Sequence, residues 1–180
     1  GAAPEYRNAD EGWGIPTLPP FPGEVDLSWH LINTLIEQEF DVTTCQEMLV
    51  DHACTLPLKL FWPEGDCPVT VVPVCINTVQ HPLPSAKRCF KLGQALRRAI
   101  ESYPEELRVA IVATGGLSHQ VHGERAGFNN VPWDMQFLEL FEQDPERLAA
   151  LTHVELVELG GAEGAEVMMW LTMRGALSAQ

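Results

Sequence analysis

LRVAIVATGGLSHQVHG, residues 107–123, is the stretch on which the reading of this chain turns. Val109 to Ala113 is an unbroken apolar run rich in β-branched side chains, and it stops at Thr114-Gly115-Gly116. Such a run reads as a strand buried on both faces, ended by a turn that glycine permits. Ser118-His119-Gln120 follows at once, which places an imidazole at the carboxyl end of a central strand. In open α/β sheets ligands bind at that end. The plain alternative is that His119 braces the turn, and that the glycine-spaced polar stretch running on to Asn130 is a surface connection.

Working outward, Pro68 to Asn77 reads as a second strand, with Pro73 marking a bulge or an end of pairing. Ser85 offers a cap for a helix over Ala86 to Ser102, whose Cys89, Leu92, Leu96, Ala99 and Ile100 share one face. Strand, helix and strand in this order form a βαβ crossover. Upstream, Asp26 offers the cap of a helix running to about Phe40, Asp41 to Cys45 is a short strand candidate, and Pro57 marks a break or a helix start. The proline- and glycine-rich arm before residue 25 carries Trp13 and Phe21 as anchors. Downstream, Pro132-Trp133-Asp134, Asp144-Pro145-Glu146 and Thr152 each open a helix, and a last, strongly apolar helix runs from Gly160 to Arg174. The fold class expected is α/β: a central, largely parallel sheet flanked by helices, in a single domain.

In that last helix Glu163 and Glu166 share a face near the N-terminus, where the helix dipole favours negative charge. The dipole alone accounts for Glu163. Glu166 abuts Val167-Met168-Met169-Trp170, and a carboxylate entering an apolar core needs a partner or a metal. Asp51-His52 sets an acid beside a histidine, a common surface pairing, and His30 lies on a helix stripe where a boundary role suffices.

The 25 acidic against 11 basic residues give a net charge of −14, which argues against nucleic acid or an anionic membrane surface as partner. Cysteines 45, 54, 67, 75 and 89 form no CxxC pair, and Cys45, Cys75 and Cys89 have apolar neighbours. They read as buried, reduced thiols of a cytoplasmic protein. No apolar run approaches a membrane span. The opening GAAPEYRNADEGWG has no Met start, so the expectation is a chain cut at both ends.

Three stretches together resemble the class III extradiol ring-cleavage dioxygenases of the protocatechuate 4,5-dioxygenase β-subunit type: VDH around His52, ATGGLSHQVHGERAGFNN around His119, and EGAEVMMWLTMRGAL around Glu166. EYRNADEG near the start belongs to the same pattern, so the resemblance covers residues 1–180. HQVHGERAGFNN and GAEGAEVMMW are closer to the gallate dioxygenases than to the protocatechuate enzymes. The resemblance implies Fe(II)-dependent opening of gallate by O2 next to the diol. It also implies Glu166 as an iron ligand, His119 as the base that takes a substrate hydroxyl proton, and His52 as a second histidine that lines the pocket. Arg125 is carried as a substrate contact, and Arg125 or Arg174 as the partner of the substrate carboxylate.

Implied partners are a small aromatic diol or triol acid, O2, and either a second copy or a small subunit. Both histidine ligands of the family lie in an N-terminal portion for which this chain has no match, and His30, His81, His122 and His153 do not stand in matching contexts. The expectation is therefore a segment of a catalytic domain that lacks this N-terminal part and the C-terminal part. A protocatechuate 4,5-dioxygenase β-type subunit, a non-catalytic homologue or assembly subunit, and a metal-dependent hydrolase are the readings that compete.

Overall fold

Tyr6, wholly buried, sits in the strand β1 (Glu5–Asn8), whose neighbours Glu5 and Arg7 point outward in the alternation of a half-buried strand. In this computed structural model, which describes residues 1–12, 14, 16, 18–64 and 67–177, β1 is central to a three-stranded mixed sheet of order β2-β1-β3. It pairs antiparallel with β2 (Phe21–Pro22) and parallel with β3 (Leu49–Val50). Trp13 lies outside the described residues, while Phe21 is buried as an anchor should be.

Contacts divide the chain into two units. One comprises Gly1–Cys75 with Ala99–Glu106, and the other Ile76–Arg98 with Leu107–Gln180. The first holds the sheet, the helix α1 (Val25–Glu37) and the helix α2 (His52–Phe61). Glu24 rather than Asp26 occupies the N-cap of α1, and Asp26 falls in the first turn, where its charge still meets the dipole. Pro57 is accommodated inside α2. His30 accepts the boundary role: Nε2 lies 2.9 Å from the Ala99 carbonyl and 3.0 Å from Ser102 Oγ, with the ring edge against Tyr103.

The second unit is helical. After α3 (Ala86–Glu101), capped by Ser85 Oγ, come α4 (Val131–Gln143), α5 (Pro145–Ala149), α6 (His153–Gly160) and α7 (Trp170–Leu177). Each of α4, α5 and α6 starts on a side-chain cap, from Asn130, Asp144 and Thr152 respectively. The core joins Phe90, Trp133, Phe137, Leu148, Leu156, Met168 and Leu171. Phe137 packs edge-on against both Trp133 and Trp170.

Four expectations need correction. The residues Val109–Ala113 and Pro68–Asn77 run without regular strand pairing among the described residues, apart from one bridge of Val71 to Gly23, so the central parallel sheet is not what they form. Their apolar side chains are correspondingly open, Val109 41%, Val112 53%, Val69 42% and Val74 49% exposed, because a strand meant for two buried faces needs neighbours on both. Asp41 to Cys45 likewise forms no strand. The third concerns the single helix over 160–174: Gly161, at φ 89°, ends α6, a 3-10 turn covers Gly164–Met169, and α7 starts at Trp170. Of the cysteines, all five are free, but Cys89 alone is buried, Cys45 is half-buried and Cys75, on the unpaired run, is exposed.

Candidate active site

The second unit folds the loop after Thr114-Gly115-Gly116 onto the junction between α6 and α7. The loop is tied there along its backbone. His119 N–H donates to the Gly160 carbonyl at 2.9 Å, and the His119 carbonyl accepts from Gly164 N–H at 3.0 Å. Only a residue without a side chain fits at Gly161, since an added Cβ would stand 2.3 Å from the His119 carbonyl oxygen at a φ that L side chains rarely adopt. At the other end, Trp170 Nε1–H donates to the Thr114 carbonyl at 2.7 Å.

Behind the imidazole lies a buried polar knot that the sequence reading missed. Asp134, 9% exposed, accepts from Ser118 N–H and from Ser118 Oγ–H, both at 2.8 Å. Ser118 Oγ in turn accepts from Asn130 N–H at 2.7 Å, and Asn130 Nδ2–H donates to the Leu159 carbonyl. A buried carboxylate persists only when its oxygens are satisfied, and this one holds the residue next to His119 by two bonds. In sequence Asp134 looks like an ordinary first-turn acid of α4, and nothing in its spacing marks it.

His119 and Glu166 are brought together: His119 Nε2 stands 3.8 Å from Glu166 Oε1, with the two side chains 38% and 26% exposed. His119 Nδ1 lies 2.7 Å from the Leu117 carbonyl, which can only accept, so Nδ1 carries a proton, and in the neutral ring Nε2 is the acceptor that faces the carboxylate. Two acceptors facing each other attract only through a proton or a cation between them. Glu166 Oε1 is held by Gly116 N–H at 2.7 Å. Gly115, at φ 100°, lets the backbone pass close by, since a Cβ there would lie 2.9 Å from the carboxyl carbon. Glu163 faces elsewhere, accepting from Val121 N–H and lying 3.7 Å from His122 Nδ1.

His52 belongs to the other unit, at the start of α2. Its Nδ1 lies 2.7 Å from Glu11 Oε1, and the adjacent Asp51 caps α2 by accepting from Ala53 N–H. Arg125 is exposed; its guanidinium donates to the Val157 and Glu158 carbonyls at 3.3 and 3.2 Å and lies 3.8 Å over the Phe128 ring, an arrangement that satisfies the last turn of α6. Arg174 donates to the Phe141 and Glu142 carbonyls at the end of α4.

As a metal donor set, Glu166 suits one position: an anionic oxygen beside an imidazole lone pair, at the edge of the apolar Val167-Met168 core. It is one donor of the three such a centre needs. Among the described residues, the grouping that brings three His, Cys, Asp or Glu ligand atoms within 4.8 Å of one another is Glu11, Asp51 and His52, and none forms around Glu166. No helix among the described residues is long and apolar enough to cross a membrane.

A family model described as the catalytic LigB subunit of aromatic ring-opening dioxygenase matches residues 1–180. The chain is 54% identical over 172 residues to gallate dioxygenase of Pseudomonas putida, a match covering 95% of this chain and 51% of that protein. It is 28% identical over 204 residues to a 2,3-dihydroxyphenylpropionate/2,3-dihydroxicinnamic acid 1,2-dioxygenase of Burkholderia vietnamiensis, covering 89% of this chain and 63% of the relative. An enzyme of the same kind from Pseudomonas putida is 31% identical over 190 residues, with 81% and 60% covered. The chain thus spans about half the length of the first of these relatives and under two thirds of the others.

Proposed function

Because the chain belongs to the family of catalytic LigB subunits of aromatic ring-opening dioxygenases, we propose that it carries part of the active site of an extradiol dioxygenase that opens the ring of gallate with O2. The observation that carries this reading is the 3.8 Å approach of His119 Nε2 to Glu166 Oε1, two groups 47 positions apart in the chain. Gallate is favoured over other diols by the 54% identity to a gallate dioxygenase, against 28% and 31% to the dihydroxyphenylpropionate enzymes.

In this reading Glu166 is one ligand of an Fe(II) ion. Bound there, iron supplies the electron transfer between a chelated diol and oxygen, chemistry that no side chain here can perform. The chain supplies position and proton transfer. His119, its ring fixed by the Leu117 carbonyl, has Nε2 as acceptor and takes the proton of a substrate hydroxyl brought beside Glu166. His52 is the second histidine of the proposal, with the role of orienting the substrate. A cytoplasmic homodimer, or a complex with a small subunit, completes the proposal.

The test is Fe(II)-dependent oxygen uptake with gallate, compared with protocatechuate. His119→Phe is expected to abolish uptake while leaving iron bound. Turnover without oxygen would point to a hydrolase, and absence of any turnover with iron bound would leave an assembly role.

A further inference from the structure

The parallel ladder between β1 and β3 sets Arg7 beside Leu49 and Asn8 beside Val50, and Ala9 N–H extends it to the Val50 carbonyl at 2.8 Å. Two parallel strands in register deliver their next residues to the same end, the end at which α/β proteins place their ligand-handling groups. Beyond β1 this brings Asp10-Glu11, and beyond β3 it brings Asp51-His52. Glu11, with a side chain 19% exposed, turns back onto α2 and uses both oxygens on one residue: Oε2 accepts from His52 N–H at 2.6 Å and Oε1 from His52 Nδ1–H at 2.7 Å.

A carboxylate only accepts, so Nδ1 carries a proton, and in the neutral ring Nε2 is the acceptor nitrogen. The backbone bond fixes the carboxylate to the same helix turn that carries the imidazole, so ring and clamp move together. Asp51 Oδ1 accepts from Ala53 N–H at 3.2 Å and caps the helix. We propose that Glu11 is a positioning residue for His52: it holds the imidazole in the Nδ1–H tautomer, with Nε2 as the atom that receives a substrate hydroxyl. The second half of this statement rests on the reading of His52 as a pocket residue. The first half stands on the geometry alone.

The experiment reads the two halves separately, on the full chain labelled with ¹⁵N-histidine. Two- and three-bond ¹H–¹⁵N correlations, recorded from about pH 6 to about pH 9, report which nitrogen of His52 carries the proton. Wild type is expected to show the Nδ1–H form. Glu11→Gln keeps an oxygen for the His52 amide but loses the charge, and the ratio of Nδ1–H to Nε2–H is expected to fall about tenfold, the difference between a charge-assisted and a neutral hydrogen bond.

Asp51→Asn is expected to leave that ratio unchanged, which separates the clamp from general disturbance of the helix start. If Glu11→Gln fails to fold, Glu11→Asp, one methylene short of the ring, replaces it with the same expected direction. A wild-type His52 in the Nε2–H form, or a ratio that neither Glu11 variant moves, overturns the clamp. Tight Zn(II) binding that displaces the Nδ1 proton also overturns it, since Glu11, Asp51 and His52 would then be a cation site. A tautomer that shifts while gallate-dependent oxygen uptake does not change overturns the pocket role of His52 and leaves the clamp standing.

Discussion

Replacing Asp134 tests whether the polar knot behind His119 is what fixes the loop. In Asp134→Ala the Ser118 N–H and O–H, which now donate at 2.8 Å each, lose their acceptor in a place where Ser118 is 5% exposed. An unsatisfied buried donor costs about 1–3 kcal/mol, so the pair should cost about 3 kcal/mol, allowing for water entering the gap. Asp134→Asn retains one oxygen for Ser118 N–H and orphans only the hydroxyl, for about 1–2 kcal/mol. Ser118→Ala removes the hydroxyl, strands one carboxylate oxygen and leaves Asn130 N–H without its acceptor, for about 2 kcal/mol.

The double variant should then be less unstable than the sum of the singles, with a coupling on the order of 1–2 kcal/mol, because each single change already breaks the shared bond. Urea unfolding gives the four stabilities. Amide exchange at Ser118 and His119 reads the loop itself, where each ~1.4 kcal/mol of lost local stability speeds exchange about tenfold. A cost below about 0.5 kcal/mol for Asp134→Ala, or strict additivity, would show that the loop is held by its backbone bonds to Gly160 and Gly164 instead.

Gly161→Ala should destabilise by more than about 2 kcal/mol, since it adds a backbone overlap to a left-handed φ, and urea unfolding checks it. Burial pushes the thiols of Cys54 and Cys89 up to about 11 from an ordinary 9.0. The unfolded chain releases those protons near pH 9 and the folded one does not, so stability is full below pH 9.0 and falls as pH rises toward about 11, as urea midpoints across that range would show. Iodoacetamide at about pH 8 should leave Cys89 unmodified until the chain unfolds. Arg125→Ala should cost up to about 1 kcal/mol by uncovering the last carbonyls of α6, while in the proposed gallate reaction the KM stays within about twofold. Glu166→Gln keeps an acceptor for Gly116 N–H, so the fold should hold while Fe(II) affinity, read by titration, drops at least about tenfold.

Local encoding set how much of the molecule was legible in the sequence. The caps of Ser85, Asp144 and Thr152 act on backbone a few residues away, and each helix they open is present. The apolar runs at 68–77 and 109–113 show the limit: composition says that a segment prefers two covered faces, but pairing partners are set by tertiary context, and the ladders that do form join the four-residue β1 to two strands of two residues each. The site divides the same way. His119 and Glu166 could be named because an imidazole after a glycine turn and a carboxylate entering an apolar helix are each locally odd.

Their supports could not. Glu11 and Asp134 are unremarkable acids in sequence, one in a proline- and glycine-rich arm and one in the first turn of a helix, and each acquires its meaning from a bond across 41 and 16 residues respectively. Both bonds have the same form: a carboxylate accepts from a backbone N–H and a side-chain donor of one residue, Glu11 from His52 itself and Asp134 from Ser118, the neighbour of His119. That form constrains a donor in two directions at once, which is what a histidine needs if it is to present a chosen nitrogen to a small aromatic substrate.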